Sequence, residues 1–191
     1  MTVAELPKTI VPDPAFRAEV EKLSGQKVSA CFQCEKCTNG CPVAFAMDIV
    51  PHKLIRSVHL GLKDLILKSD TIWVCASCET CNTRCPNGIG IAHIMDTLRQ
   101  MSQREGVPAS KKNVPVFHKT FLGSTKRWGR VHEGEMAAIY TLRTEGLGGL
   151  IKQGKTHGIT LLLKGKMKLM PDRLRPGSQF KTIVKNAERK G

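Results

Sequence analysis

The stretch "CFQCEKCTNGCP", residues 31–42, contains four cysteines separated by two, two and three residues, with a proline behind the last. The stretch "CASCETCNTRCP", residues 75–86, repeats this pattern 44 positions later. Together the two stretches contain all eight cysteines of the 191-residue chain. Every thiol therefore belongs to one of two matched groups, and one shared chemistry has to account for both.

Disulfide bonds are the least suitable use of these thiols. The N-terminus, "MTVAELPKTIVPDPAF", lacks the basic start and apolar run of a secretory signal, so we expect a cytoplasmic protein. A reducing compartment disfavours disulfides and favours metal binding by thiolates. Neighbouring cysteines in a C-x-x-C run also cannot all pair without strain.

Zinc and iron–sulfur clusters remain as alternatives. Structural zinc sites usually take two ligand pairs that are separated by a dozen or more residues. Here four cysteines fall within eleven residues, twice, and each run ends in Cys-Pro. This is the spacing of bacterial ferredoxins, in which the fourth cysteine of each run ligates the other [4Fe–4S] cluster. The pattern therefore favours two [4Fe–4S] clusters over zinc.

The ferredoxin rule divides the cysteines into two crossed sets. Cys31, Cys34, Cys37 and Cys85 are predicted to hold the first cluster, and Cys75, Cys78, Cys81 and Cys41 the second. Cysteine then fills all four positions of each cluster, which leaves no iron open to a substrate. The sequence predicts electron transfer, and it offers no candidate catalytic residue.

The segments around the two motifs have a helical period. Phe16, Val20 and Leu23 precede the first motif, Leu54, Ile55, Val58 and Leu62 lie between the motifs, and Ile91, Ile94, Met95, Leu98 and Met101 follow the second. Asp13 and Asp70 are predicted helix N-caps, Pro14 and Pro51 suit first turns, and Pro42 and Pro86 suit first helical positions. We therefore expect a mainly α fold, with an α-helical two-cluster ferredoxin domain over residues 1–106.

Other conspicuous side chains near the motifs have simpler interpretations. Trp73 is interpreted as a core aromatic that covers the clusters rather than as an electron relay. His52, His59 and His93 are interpreted as helix-face residues or donors near sulfur, since the cysteines already supply every ligand.

Charge separates the second part of the chain from the first. Residues 1–110 contain 12 Lys/Arg against 11 Asp/Glu, whereas residues 111–191 contain 18 against 5. Residues 107–191 therefore form a basic, partly irregular helical extension that suits an acidic partner. No stretch approaches the roughly 18 apolar residues of a membrane span.

Protein docking and nucleic-acid binding both remain possible for this extension. Its aromatic residues are sparse and not regularly interleaved with basic ones, which gives base stacking poor support and favours docking to protein. Lys164, Lys166 and Lys168 are candidate docking residues. A nucleic-acid-binding iron–sulfur protein is the alternative function.

Several segments resemble the C subunit of heterodisulfide reductase and its relatives. They are the doubled cysteine motif, "HKLIRSVHLGLKDLILKSDTIWVCASCETC" at 52–81 and "HIMDTLRQMSQREG" at 93–106. The similarity continues more weakly through "FLGSTKRWGRVHEGE" at 121–135 and "LLLKGKMKLMPDRLRP" at 161–176. The eight cysteines carry over one for one, with the crossed ligation given above.

This resemblance implies a role and its partners. In that family the protein lies between a flavin-containing iron–sulfur subunit and a catalytic subunit that cleaves disulfides, and electrons pass through its two clusters. The catalytic subunit would need further cysteines and a Cys-Cys-Gly element, which this sequence does not contain. The chain is therefore expected to be a non-catalytic electron-transfer subunit of a soluble, cytoplasmic complex.

Overall fold

The computed structural model describes residues 12–154, 158–165 and 177–190. These residues divide into two compact units, with the division between Lys112 and Asn113. Within the described ranges the regular structure is helical and contains no strand. The predicted mainly α class is confirmed.

The N-terminal unit is built from short helices around the cysteine motifs. They are α1 (Pro14–Ser24), α2 (Lys36–Asn39), α3 (Pro51–His59), α4 (Lys63–Leu67), α5 (Thr71–Val74), α6 (Thr80–Arg84) and α7 (Ile91–Arg104), with 3-10 turns at Val28–Ala30 and Ala44–Ala46. Helix α7 packs against α1, α4, α5 and α6, and α3 packs against α1, α2 and α4. Each motif is therefore followed by a helix, α3 or α7, that packs into the centre of the unit.

The core of this unit is aliphatic and lies on the faces that the sequence predicts. Leu54, Ile55 and Val58 of α3 are at most 1% exposed, and the five predicted residues of α7 are at most 4% exposed. Trp73 is 3% exposed, as expected for a core aromatic. Two predictions are wrong: Leu23, in the last turn of α1, is 46% exposed, and Leu62 lies beyond the end of α3.

Helix boundaries follow the predicted capping residues in part. The Asp13 carboxylate accepts a hydrogen bond from the Ala15 amide at 2.9 Å, and Pro14 opens α1. Pro51 likewise opens α3. The prolines behind the cysteine motifs do not start α-helices: Pro42 lies in a turn before the 3-10 segment, and Pro86 precedes α7 by five residues.

Helix α5 is capped by a residue that the sequence did not indicate. The Asp48 carboxylate accepts from the Asp70 amide at 2.9 Å and from the Thr71 amide at 3.0 Å. Asp70 itself makes no capping bond, because its carboxylate pairs with the Lys111 ammonium at 2.6 Å, which lowers the Asp70 pKa. Asp48 thus connects the end of the first motif to the helix that leads into Cys75.

Replacing Asp48 with alanine is expected to lower the free energy of unfolding by about 1–2 kcal/mol, the usual cost of losing a helix N-cap. The measurement is anaerobic guanidinium denaturation of the cluster-loaded chain. Asp48→Asn, which keeps one acceptor oxygen, should lose less. An unchanged midpoint in Asp48→Ala would contradict the capping role.

The C-terminal unit contains more helix than the sequence suggests. Its described helices are α8 (Asn113–Trp128), α9 (Glu133–Gln153), α10 (Ile159–Leu163) and α11 (Gly177–Lys190). Helix α8 has no clear apolar face, since its buried residues are Thr120 and Ser124, and this hid it from periodicity. No described helix has both the length and the apolar character needed to cross a bilayer.

Polar contacts hold α8 against α9. The Glu135 carboxylate accepts from the Trp128 indole at 2.6 Å and pairs with the Arg127 guanidinium. Phe117 and Tyr140 meet edge to face, with ring centroids 5.8 Å apart. These contacts define a helical hairpin within the basic extension.

Candidate metal centres

Cysteines from both motifs line a first pocket. Its volume is about 370 Å³, and it is lined by Cys31, Cys34 and Cys37 of the first motif and by Cys85 of the second. Helices α2 and α6 pack against each other, which brings the end of the second motif beside the first. The remaining wall is largely apolar and includes Ile55 and Ile89.

The second pocket has the reciprocal composition. Its volume is about 360 Å³, and it is lined by Cys75, Cys78, Cys81 and Cys41. The structure therefore brings together the two crossed sets of cysteines that the sequence predicts. Which four cysteines ligate each cluster stays a prediction.

Each motif contains two residues with a strained backbone beside its pocket. Gln33 and Glu35 have φ angles of 55° and 61°, and Ser77 and Glu79, at the matching positions, have φ angles of 49° and 60°. Residues with a β-carbon adopt this left-handed conformation at a cost of roughly 1–2 kcal/mol each. The same strain at matched positions of both motifs indicates that a ligand determines the loop shape.

Burial disfavours the ionised form of several thiols. It raises the pKa of Cys37 and Cys75, and it raises the pKa of Cys81 to about 11. Negative charge on Cys75 adds to the effect at Cys81. Because iron binds the thiolate, binding has to displace protons, and it becomes more favourable as pH rises.

Hydrogen-bond donors act in the opposite direction at the same sulfurs. The side chain and the backbone amide of Thr80 lower the pKa of Cys78. The Ser77 amide has the same effect at Cys75, where it partly offsets burial. Such donors stabilise negative charge on sulfur, which is what a thiolate-ligated cluster requires.

The donor set and the pocket shape fit two clusters. In the described part of the chain, no three His, Cys, Asp or Glu side chains lie close enough to share a single metal ion. The cysteines instead stand around two pockets, four to each. Four thiolates spaced around a volume suit the four irons of a cube, each of which takes one cysteine.

Comparison with known families identifies the domain. Residues 27–89 match the family model of the 4Fe-4S dicluster domain. The chain contains a 4Fe-4S dicluster domain. The matched range contains both motifs and all eight cysteines, so the prediction of two [4Fe–4S] clusters is confirmed over the zinc alternative.

Curated relatives confirm the resemblance to the C subunit of heterodisulfide reductase. The C-type iron–sulfur subunit of the CoB–CoM heterodisulfide reductase of Methanopyrus kandleri is 37% identical over 97 residues, which are 51% of this chain and 48% of the relative. The second such C-type protein of Methanocaldococcus jannaschii is 36% identical over 104 residues, 54% of this chain and 52% of the relative. The C subunit of the H2:CoB–CoM heterodisulfide,ferredoxin reductase of Methanothermobacter marburgensis is 32% identical over 101 residues, covering 52% and 55%.

The chain spans about half the length of these curated relatives. The dicluster domain and its cofactors are therefore established more firmly than the activity of the whole protein. The family match stops at residue 89, and it does not extend to α8–α11.

Sequence reasoning found the cysteines but not the residues that shape their surroundings. Of the three histidines near the motifs, His52 lines the first pocket, whereas His93 is exposed. The left-handed residues carry no sequence signal, because none of them is glycine or asparagine. The capping role of Asp48 depends on a partner helix 22 residues away.

Proposed function

We propose that this chain is the electron-transfer subunit of a cytoplasmic heterodisulfide-reductase-like complex. It relays single electrons between a flavin-containing iron–sulfur subunit and a subunit that cleaves disulfides. When bound, a [4Fe–4S] cluster accepts and returns one electron at a time. The names of the relatives and the two complete cysteine sets support this assignment.

The observation that carries the proposal is the closeness of the two pockets. Ile91, at the first position of α7, lines both of them and is 4% exposed. A single buried side chain therefore stands in the wall that the two sites share. Such an arrangement suits a relay, in which the second site has to be reached through protein rather than through water.

Access from outside differs within each set of cysteines. Cys34 and Cys78, the second cysteines of the two motifs, are exposed, whereas Cys37 is buried. Each site therefore has one exposed cysteine that a partner can approach, while its other cysteines are more enclosed. This favours entry of an electron at one site and exit at the other.

The basic extension supplies a surface for docking. On α11, Lys181, Lys185 and Arg189 are all exposed and follow one another at four-residue spacing, so they share one side of the helix. Lys164 is exposed as well, whereas Lys166 and Lys168 lie outside the described residues. A row of cations suits an acidic patch on a partner subunit.

The first test is anaerobic purification of the tagged chain from its own cells, with analysis of iron, sulfide and co-purifying proteins. We expect about eight irons per chain, as two [4Fe–4S] clusters require. A flavoprotein and a cysteine-rich protein should co-purify. Recovery of the iron-loaded chain without either partner would contradict the proposal.

Charge reversal then tests the docking surface. Lys181→Glu, Lys185→Glu and Arg189→Glu together should reduce co-purified partner roughly tenfold at unchanged iron content, since each lost ion pair is worth about 0.2–1 kcal/mol. The control is Lys22→Glu, Lys53→Glu and Lys68→Glu, which changes the charge equally at exposed sites of the N-terminal unit. Equal loss in both variants would show a general charge effect and contradict docking through α11.

The same variants address nucleic-acid binding. Phosphate contacts would produce affinity for duplex or single-stranded nucleic acid that falls steeply with salt. We expect no such binding to the iron-loaded chain at low salt. Salt-sensitive binding that the α11 variant abolishes would replace the docking proposal with the alternative function.

A further inference from the structure

The two motifs and the helices that follow them are related by an internal repeat that extends to their hydrogen bonds. Thr38 and Asn82 occupy matching positions, one residue after the third cysteine of each motif. The His52 amide donates to Thr38 Oγ1 at 3.1 Å, and the Ala92 amide donates to Asn82 Oδ1 at 2.9 Å. Both donors are the second residues of their helices, α3 and α7.

His52 and Ala92 are therefore structural equivalents. His52 lines the first pocket, and Ala92 lines the second. The residues one turn further on, Ile55 and Met95, repeat the relation and line the first and second pockets respectively. The first site thus contains an imidazole where the second has only a methyl group.

The contacts of the imidazole determine where its proton lies. His52 Nδ1 lies 2.9 Å from Thr38 Oγ1. Because that oxygen already accepts from the His52 amide, its own hydrogen is available for Nδ1, which then accepts. The proton of the neutral ring is therefore assigned to Nε2, which lies 3.5 Å from Glu35 Oε1. Thr38 and Glu35 fix the ring so that an N–H donor stands at the first pocket.

Other polar groups at the two sites are more nearly balanced. Glu35 and Glu79 are matched carboxylates that line the first and second pockets. Gln33 Nε2 donates to Cys31 Sγ at 3.1 Å, and Thr80 Oγ1 lies 3.5 Å from Cys78 Sγ.

A second charged feature belongs to the other site. The Arg99 guanidinium lies 3.1 Å from the Cys75 carbonyl oxygen, but it is paired with Asp96 at 2.9 Å. His52 therefore remains as the donor group that lines one pocket and has no counterpart at the equivalent position of the other.

We propose that His52 is a positioning residue that raises the reduction potential of the cluster held by Cys31, Cys34, Cys37 and Cys85. Reduction adds one electron and one negative charge to a cluster that is already anionic with its four thiolates. A fixed N–H donor beside it stabilises the more negative form, while the proton stays on Nε2. Ala92 leaves the second cluster without this stabilisation, so the two potentials separate.

The test is a potentiometric titration of the iron-loaded full chain with dithionite, followed by electron paramagnetic resonance. The signal that is missing in Cys34→Ala identifies the first cluster. In His52→Ala we expect the ratio of reduced to oxidised first cluster, at a fixed potential, to fall about tenfold, or about 59 mV for one electron. The second cluster should keep its midpoint.

A matched pair separates the donor from the packing. His52→Gln keeps an N–H donor, whereas His52→Leu fills a similar volume without one. The glutamine variant should restore at least part of the shift, and the leucine variant should behave like alanine. Equal midpoints in the glutamine and leucine variants, or equal shifts of both clusters, would overturn the proposal.

This pair also decides the matter if the alanine variant loses iron. The reciprocal change, Ala92→His, should raise the midpoint of the second cluster when its iron content is intact. All of these measurements use the chain without partners. Their outcome is therefore independent of whether a reductase complex forms.

Discussion

Cys34→Ala is expected to lower the iron content from about eight to about four per chain, because it removes one ligand of one [4Fe–4S] cluster. Adding a second substitution to this background tests the crossed ligation. Cys34→Ala with Cys85→Ala should retain about four irons, since both residues line the first pocket. Cys34→Ala with Cys41→Ala should retain almost none, since Cys41 lines the second.

The two double variants are matched in number, residue type and chemistry. If each motif held its own cluster, their results would be reversed: the pair with Cys41 would keep about four irons and the pair with Cys85 almost none. Iron and acid-labile sulfide analysis of anaerobically purified protein distinguishes the two patterns. Complete loss of iron in Cys34→Ala alone would contradict independent sites.

Removal of both clusters is expected to unfold most of the N-terminal unit. Four left-handed residues cost roughly 4–8 kcal/mol together, at roughly 1–2 kcal/mol each. The net stability of a domain is only about 5–15 kcal/mol. Metal–thiolate bonds offset this cost when the clusters are bound, so binding and folding should be coupled.

Hydrogen exchange, read peptide by peptide before and after anaerobic oxidation with a chelator, measures this coupling. Amides of α3 and α7 should lose most of their protection when the clusters are removed. Chelator without oxidant is the control, because it leaves the clusters in place. Unchanged protection in α3 and α7 after complete loss of iron and sulfide would show that the fold does not need its metal.

The two motifs determine a large part of this protein by themselves. Cysteines at fixed spacing limit the chemistry to thiolate ligands in two groups of four, and the ferredoxin rule divides them into crossed sets. The apolar period around Leu54 and Leu98 predicts the buried faces of α3 and α7, because a helix has to bury its apolar side. These are local patterns, and they can be recognised without knowing the fold.

Helix starts depend on neighbours as well as on local sequence. Asp13 caps α1 through a contact two residues away, and it could be predicted. Asp70 has the same local signal, but Lys111 pairs with its carboxylate and Asp48 caps the helix instead. Helix α8 packs through Thr120 and Ser124 rather than through an apolar face, so periodicity underestimated the helical content of the extension.

The sequence by itself determined the cofactor, the fold class and the faces of the main helices, because each depends on spacing along the chain. Only the tertiary structure decided how the two halves differ. The folded chain places His52 and Ala92 at equivalent positions beside different pockets and puts Ile91 between the two sites. Such relations arise where separate helices meet, and the energy that fixes them comes from packing and hydrogen bonds between distant residues.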